Sequence, residues 1–279
     1  MKKFLLSAAL VCVASIGTKA QTTISQTGGA APTTGTIACG NNQAPTTSEN
    51  SFYRAYTLNA NMDITSVKVG IGTVAGNVPI TVKLHKSNGA FPGSYPAGLT
   101  QIGSATKTLT ATTTAMTVDV PFTTPISALL GDIIVVEVNN AATTAGNAYY
   151  MGVIGTGNET APAYIMSATC SINTPTTFAA VSATANGKIV LDLVAQNLSA
   201  EKFFTENFTL YPNPTTDVLN ITSKNGLNAT EIRITDLSGK VVKVQKDAST
   251  VNVSDLASGT YLIDITTKEG KATSKFIKK

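Results

Sequence analysis

The chain has no tryptophan, one histidine (His85) and three cysteines (Cys12, Cys39 and Cys170) among 279 residues, and 13% of its residues are charged. Each shortage closes off a class of function. One histidine and two downstream cysteines do not supply a four-ligand structural zinc site. A serine hydrolase would have to use His85 as its base, yet no Gly-x-Ser-x-Gly turn is present to hold a nucleophile. There is no phosphate-binding glycine loop, dinucleotide fingerprint or EF-hand-type calcium loop, so the sequence calls for no cofactor and no metal. At 43% hydrophobic the chain is globular rather than disordered or coiled-coil, and its length suits one large or two modest domains.

The net charge of +4 is unevenly placed. Residues 1–20 hold Lys2, Lys3 and Lys19, residues 21–200 hold six basic and seven acidic groups, and residues 201–279 hold eleven and nine. The long middle is therefore close to neutral, which excludes nucleic acid and anionic membrane as its partners. Lys2-Lys3, the 13-residue uncharged run Phe4 to Ile16 and the small-residue end Thr18-Lys19-Ala20 form a secretory signal peptide over residues 1–20. The run falls short of the roughly 20 residues a membrane span needs. Ala9-Leu10-Val11 lacks the small residue that precedes a lipidated cysteine, so Cys12 belongs to the apolar run. No integral membrane segment is expected beyond residue 20.

Export to an oxidising compartment leaves Cys39 and Cys170 as an even pair, which is read first as a disulfide. It would close a loop of about 131 residues, worth about 4 to 5 kcal/mol by loop-closure entropy. Two separately buried thiols are the alternative.

The rest of the chain divides into two domains with different chemistry. Residues 21–200 carry 31 threonines and 13 charges, whereas residues 201–279 carry 20 charges. That shift places a boundary in the polar stretch 196–206. The expected fold is all-β: a jelly-roll-like β-sandwich followed by a small immunoglobulin-like β-sandwich. Residues 21–48, rich in Thr, Gly, Ala and Pro, are expected to be a loose leader, and residues 49–200 the first sandwich. Period-two apolar patterns mark Val67-Val69-Ile71, Ile80-Val82-Leu84, Met116-Val118-Val120, Ile133-Val135, Tyr149-Met151-Val153 and Ile189-Leu191-Leu193. In the second domain, short strands are predicted at Phe208–Tyr211, Val218–Thr222, Glu231–Thr235, Val241–Gln245, Thr250–Val253, Tyr261–Thr266 and Lys271–Ile277. Pro212-Asn213-Pro214 forces a bend after Tyr211, and Asp236-Leu237-Ser238-Gly239 reads as a hairpin turn.

Four ordered stretches in this second domain resemble the C-terminal sorting domain of type IX secretion cargo in Bacteroidetes. They are Leu210-Tyr211-Pro212-Asn213-Pro214, Asp236-Leu237-Ser238-Gly239-Lys240, Leu256-Ala257-Ser258-Gly259-Thr260-Tyr261 and Lys275-Phe276-Ile277-Lys278-Lys279. Ser258 departs from the proline that many members carry before the glycine. The resemblance implies that Pro212, Asn213, Pro214, Asp236, Gly239, Lys240, Gly259, Tyr261, Lys278 and Lys279 form the sorting signal. It further implies that the partners are the type IX translocon and sorting machinery. After passage across the outer membrane, the tail would be removed and the cargo released or attached to surface lipopolysaccharide. The middle region is similar to a β-sandwich module of secreted bacterial proteins, through Phe52-Tyr53-Arg54-Ala55-Tyr56, Ile64 to Ile71, Gly89-Ala90-Phe91-Pro92-Gly93 and Gly131 to Val138. That second resemblance implies a fold and no activity.

For the first sandwich, alternation puts His85 on the solvent face opposite Leu84, Asp132 in a turn and Glu137 outward. Asn61-x-Asp63 is a spacing at which a loop could hold calcium. Sugar platforms need exposed aromatics, and among Tyr53, Tyr56, Tyr95, Tyr149, Tyr150 and Tyr164 the candidates for ligand contact are Tyr53, Tyr149 and Tyr150. Alternation leaves at most one of Tyr149 and Tyr150 facing the core. The expected function is a non-catalytic, secreted or surface-attached protein acting in adhesion or in capture of a glycan or protein ligand. The alternative is a carbohydrate-active enzyme that uses two carboxylates across a cleft.

Overall fold

The computed structural model describes residues 21–40, 46–111, 113–182 and 185–279; the signal-peptide reading falls on residues 1–20, outside that set. The strands run β1 (Gln21–Ile24), β2 (Thr33–Ile37), β3 (Asn50–Thr57), β4 (Met62–Ala75), β5 (Asn77–Ser87), β6 (Leu99–Thr110), β7 (Met116–Ala128), β8 (Ile133–Asn140), β9 (Ala148–Val153), β10 (Tyr164–Ser167) and β11 (Ile172–Thr177). A single helical turn α1 (Phe178–Val181) and β12 (Leu191–Asn197) complete this part. They form two six-stranded antiparallel sheets.

Strand β4 is the spine of the first sheet. It pairs with β7 on one edge; on the other it pairs with β12 over its first half and β9 over its second, with β1 outside β12 and β2 outside β9. The second sheet runs β11-β10-β3-β8-β5-β6. One apolar cluster lies between them, with Val67, Val69, Ile71, Leu191 and Leu193 from the first sheet meeting Phe52, Ile80, Val82, Leu84, Ile134, Val136 and Val138 from the second.

Two expectations change here, and one feature is new. The leader is not loose throughout: β1 is registered against β12 and β2 against β9, because their backbone donors and acceptors complete the sheet even where Thr and Gly give no apolar alternation. In β8 the core face is Ile134-Val136-Val138, while Val135 points to the other side and joins a separate cluster with Tyr53, Phe91 and Tyr164. Its continuous apolar run offers periodicity no way to choose a face. The core also contains a charge. Arg54 shares the inward face of β3 with Phe52 and Tyr56 and is wholly buried.

The remaining chain holds helix α2 (Ala200–Asn207) and strands β13 (Phe208–Tyr211), β14 (Val218–Ser223), β15 (Glu231–Asp236), β16 (Val241–Lys246), β17 (Thr250–Asn252), β18 (Gly259–Thr266) and β19 (Lys271–Lys278). Sheets β13-β14-β17 and β16-β15-β18-β19 enclose a second apolar cluster of Leu219, Ile221, Ile232, Ile234, Ile263, Ile265 and Phe276. All seven strands fall within two residues of the sequence prediction.

The stretch 196–206, expected as a polar junction, is half helix. Ser199 caps α2 by accepting from Lys202 N, and the helix lays Phe203 and Phe204 into the second cluster. There the Phe204 ring stacks on Phe208 with centroids 6.1 Å apart. On its other side α2 reaches the first sandwich: Lys202 Nζ lies 2.6 Å from Asp63 Oδ1, and Ser127 Oγ lies between the two carboxylates, 2.7 Å from Asp63 Oδ1 and 2.9 Å from Glu206 Oε1.

The folded tail therefore begins at α2. Each buried phenylalanine is worth roughly 1.5 to 3 kcal/mol, against a total of about 5 to 15 kcal/mol for a domain. A fragment of residues 199–279 is expected to melt cooperatively by circular dichroism, while one of residues 208–279, without the helix, melts at much lower temperature or not at all. Equal midpoints would show that α2 is not part of the tail's core.

Candidate functional site

The outward face of the β3-β8-β5 strip is where the polar side chains of the first sandwich converge. Register puts Tyr53 beside Glu137 and Glu137 beside Lys83, with Ser51 next to Asn139 and His85 next to Val135. Strands fix these side chains in position, and a lid covers Tyr53. Residues 88–98, between β5 and β6, fold back over the sheet through Asn88 N to Gly98 O and Ser87 Oγ to Gly89 O and Ser94 Oγ. At Gly98 a Cβ would lie 2.2 Å from Asn88 Oδ1 and 2.8 Å from Ser94 O, so only glycine closes the lid. The lid brings Phe91 and Tyr95 onto Tyr53, with ring centroids 5.5 and 6.3 Å away, and sets Phe91 edge-on to Tyr164 at 5.0 Å.

Beneath that aromatic cover lies a connected polar network. Glu137 Oε1 accepts from Ser51 Oγ at 3.1 Å and Lys83 Nζ at 3.3 Å, and its Oε2 is 3.0 Å from His85 Nε2. Asn139 Nδ2 donates to Ser51 Oγ at 3.0 Å and to Glu49 Oε1 at 3.3 Å. The Tyr53 hydroxyl interacts with Ser51 and Tyr95, and Tyr95 Oη donates to Met166 Sδ. Burial pushes the Glu137 carboxyl up, but His85, Lys83 and Ser51 outweigh it and hold the group below its ordinary value. Burial, reinforced by the Glu137 charge, pushes the Tyr53 phenol up, so it stays neutral.

Beside the network a cleft of about 190 Å³ is lined by Glu49, Ser51, Tyr95, Met166, Ser167, Ala168, Ile172 and Asn173. Its far wall, the β10 to β11 corner, carries Cys170, which is joined to Cys39 in a disulfide with Cα atoms 6.2 Å apart. The sequence reading of that pair as a bond holds.

Several predicted site residues sit elsewhere or differently. Tyr53 and Tyr149 are not exposed platforms: both are buried, Tyr53 under the lid and Tyr149 in the core against Phe52. Tyr150 is the partly exposed member of its pair and lies on β9, in the other sheet. His85 does face away from Leu84, but its side chain is only 13% exposed because it packs onto Glu137, which is itself buried. Asp132 sits at the turn as expected, accepting from Leu129 N and pairing with Lys86. Asn61 Oδ1 accepts from Leu130 N, and Asp63 Oδ1 is engaged by Ser127 Oγ and the Lys202 ammonium, so the pair expected to suit calcium is used here for structural contacts. Among the described residues no group of three His, Cys, Asp or Glu side chains is placed to hold a metal. No helix among them is long and apolar enough to cross a membrane.

The tail motifs are structural devices. Asn213 Oδ1 accepts from Ile277 N and its Nδ2 donates to Lys275 O, while Thr215 N donates to Ile277 O and Lys279 N to Thr215 O. The bend Pro212 to Pro214 thus covers the open edge of β19. Asp236 Oδ1 accepts from Ser238 N, Ser238 Oγ and Lys240 N, and these bonds, led by the Ser238 hydroxyl, hold its carboxyl low. Gly239 takes φ +89°, the left-handed conformation this turn needs. Just ahead of β18, which opens at Gly259, Tyr261 Oη reaches back to Ala257 O, and its ring stacks on Phe276. Lys278 lies in register with Gly259.

The tail is a seven-stranded unit with these turns, and its residues 209–279 match the family described as the secretion system C-terminal sorting domain. Such a tail implies interaction with the type IX secretion machinery, and with it secretion or surface attachment. No curated protein matches the chain.

For the network, the lowered Glu137 pKa has a definite sign: its contribution is present above the unfolded value and lost as the pH falls through the lower folded value. Glu137→Gln is therefore expected to cost about 1 to 3 kcal/mol at neutral pH. The gap from the parent should close as urea unfolding is repeated below the ordinary value of 4.5. A gap independent of pH would contradict the ionised assignment.

Proposed function

We propose that residues 21–200 form a non-catalytic β-sandwich that works outside the cell in ligand capture or adhesion, carried there as cargo of the sorting module in residues 201–279. In this reading a signal peptide at residues 1–20 takes the chain across the inner membrane, and the tail takes it across the outer one. The cargo then ends up in the medium or on the cell surface.

The observation that carries the reading is the tail itself. Its motif residues build a covered, sharply turned unit, and that unit displays six of the nine large exposed apolar side chains found among the described residues: Tyr211, Val218, Leu237, Val241, Val244 and Ile277. They are spread over strands of both tail sheets and the turn after β15, so the support they lend is secondary to the family match of the tail. In the sandwich, by contrast, three carboxylates are committed to structure. Glu137 has three donors around it and is held ionised, which suits an anchor and not a proton donor. Asp63 is tied to Lys202 and Ser127, and Glu159 to Arg54. These engagements favour binding over the glycosidase alternative.

Deleting residues 200–279 and fractionating the cells tests the export half. The truncated protein is expected to stay inside the cell envelope while still giving the circular dichroism of a folded sandwich. Its appearance in the medium at parental levels would sink the proposal.

A further inference from the structure

We propose that the cleft beside the Glu137 network is the ligand site of the sandwich and that it takes the terminal ring of a neutral glycan. The inference rests on the ligand-capture reading above and gives it a place and a chemistry.

The cleft has two kinds of wall. The Tyr95 ring, Met166 and Ile172 are apolar; Glu49, Ser51 and Asn173 offer a carboxylate, a hydroxyl and an amide. A pyranose has the same division, with C–H groups on one face and hydroxyls around the edge, and aromatic or thioether surfaces accept the first while carboxylate and amide groups bind the second. Charge narrows the class. Glu137 is paired with Lys83 and hydrogen-bonded to His85 and does not line the cleft, so among the described residues the one formal charge lining it is Glu49, whose carboxylate accepts hydroxyl protons and repels anionic sugars and phosphates. Size narrows it again: about 190 Å³ lies below the roughly 300 Å³ at which pockets begin to enclose larger ligands, so a single ring enters while the remainder of the chain stays in solvent.

The walls are fixed before any ligand arrives. Ser51 is held by Glu137 and Asn139, and Ser167 Oγ donates to Glu49 O. Tyr95 is bonded to Met166 across the apolar wall, and the disulfide pins the β10 to β11 corner two residues beyond Ala168. Pre-ordering of this kind lowers the entropy lost on binding, which matters most for a small ligand with little area to bury.

The test uses the chain from residue 21 to 279, with methyl glycosides of neutral hexoses and N-acetylhexosamines as probes, read by saturation-transfer NMR and titration. At least one glycoside is expected to bind with Kd near 1 mM, a free energy of about −4 kcal/mol. Glu49→Gln and Asn173→Ala, both on exposed side chains, should weaken it by about fivefold or more each, with unchanged melting temperature. Charged analogues such as glucuronides should bind more weakly. If no neutral glycoside binds, or if only a protein partner is retained, the inference is wrong, although tail-dependent export stands or falls separately. If a glycoside binds with equal strength to Glu49→Gln and Asn173→Ala, the cleft is the wrong site and ligand capture survives without it.

Discussion

The sandwich hangs on one guanidinium. Arg54 projects from β3 into the space between the sheets, where burial of an unpaired charge would cost several kcal/mol, and every direction of its fork meets an acceptor. Nε and Nη2 donate to Ile189 O, Nη1 to Gln26 Oε1 and Ala161 O, and Nη2 also to Glu159 Oε2 at 2.8 Å. Four segments that are distant in sequence are thereby fixed to one point: the stretch after β1, the residues preceding β10, the approach to β12, and β3 itself. Two of these are irregular backbone whose carbonyls would otherwise need water. Lysine has neither the planar fork nor the number of donors to replace it.

From that point the outward face of the second sheet follows. With β3 held on one side by β10 and on the other by β8, its alternate residues Ser51 and Tyr53 must point away from the core, toward the lid. The lid gives Tyr53 an aromatic cover, and β5 supplies Lys83 and His85 to the carboxylate that β8 brings alongside. The disulfide secures the neighbouring corner. The body is thus rigid on the side where its polar groups gather, which suits binding without rearrangement.

What the sequence made legible divides along physical lines. The tail strands were readable because each is short, alternating and bounded by a turn whose chemistry is explicit, as at Pro212 to Pro214 and Asp236 to Gly239. The disulfide was readable from cysteine parity and compartment. The Glu137 site was not: His85 and Glu137 are 52 residues apart, and they meet only because β5 and β8 are neighbours in a sheet order that no local pattern encodes. Arg54 was hidden for another reason. A strand reading Phe52-x-Arg54-x-Tyr56 has a charge at an inward position, and only the converging acceptors make that position tolerable. Tyr53 misled because alternation correctly pointed it out of the core, while a lid formed by residues 88–98 covered it. The same limit applied to α2, whose eight residues are mostly polar and whose two phenylalanines find their core only in the tail.

The chain thus has two cores, one organised by Arg54 and one sealed by α2. The most direct test is differential scanning calorimetry of the chain from residue 21 to 279 and of its Arg54→Lys variant. Two transitions are expected for the parent, and in the variant the sandwich transition should fall by an amount matching about 3 to 5 kcal/mol while the tail transition stays in place. A single transition, or a sandwich midpoint that does not move, would contradict this division.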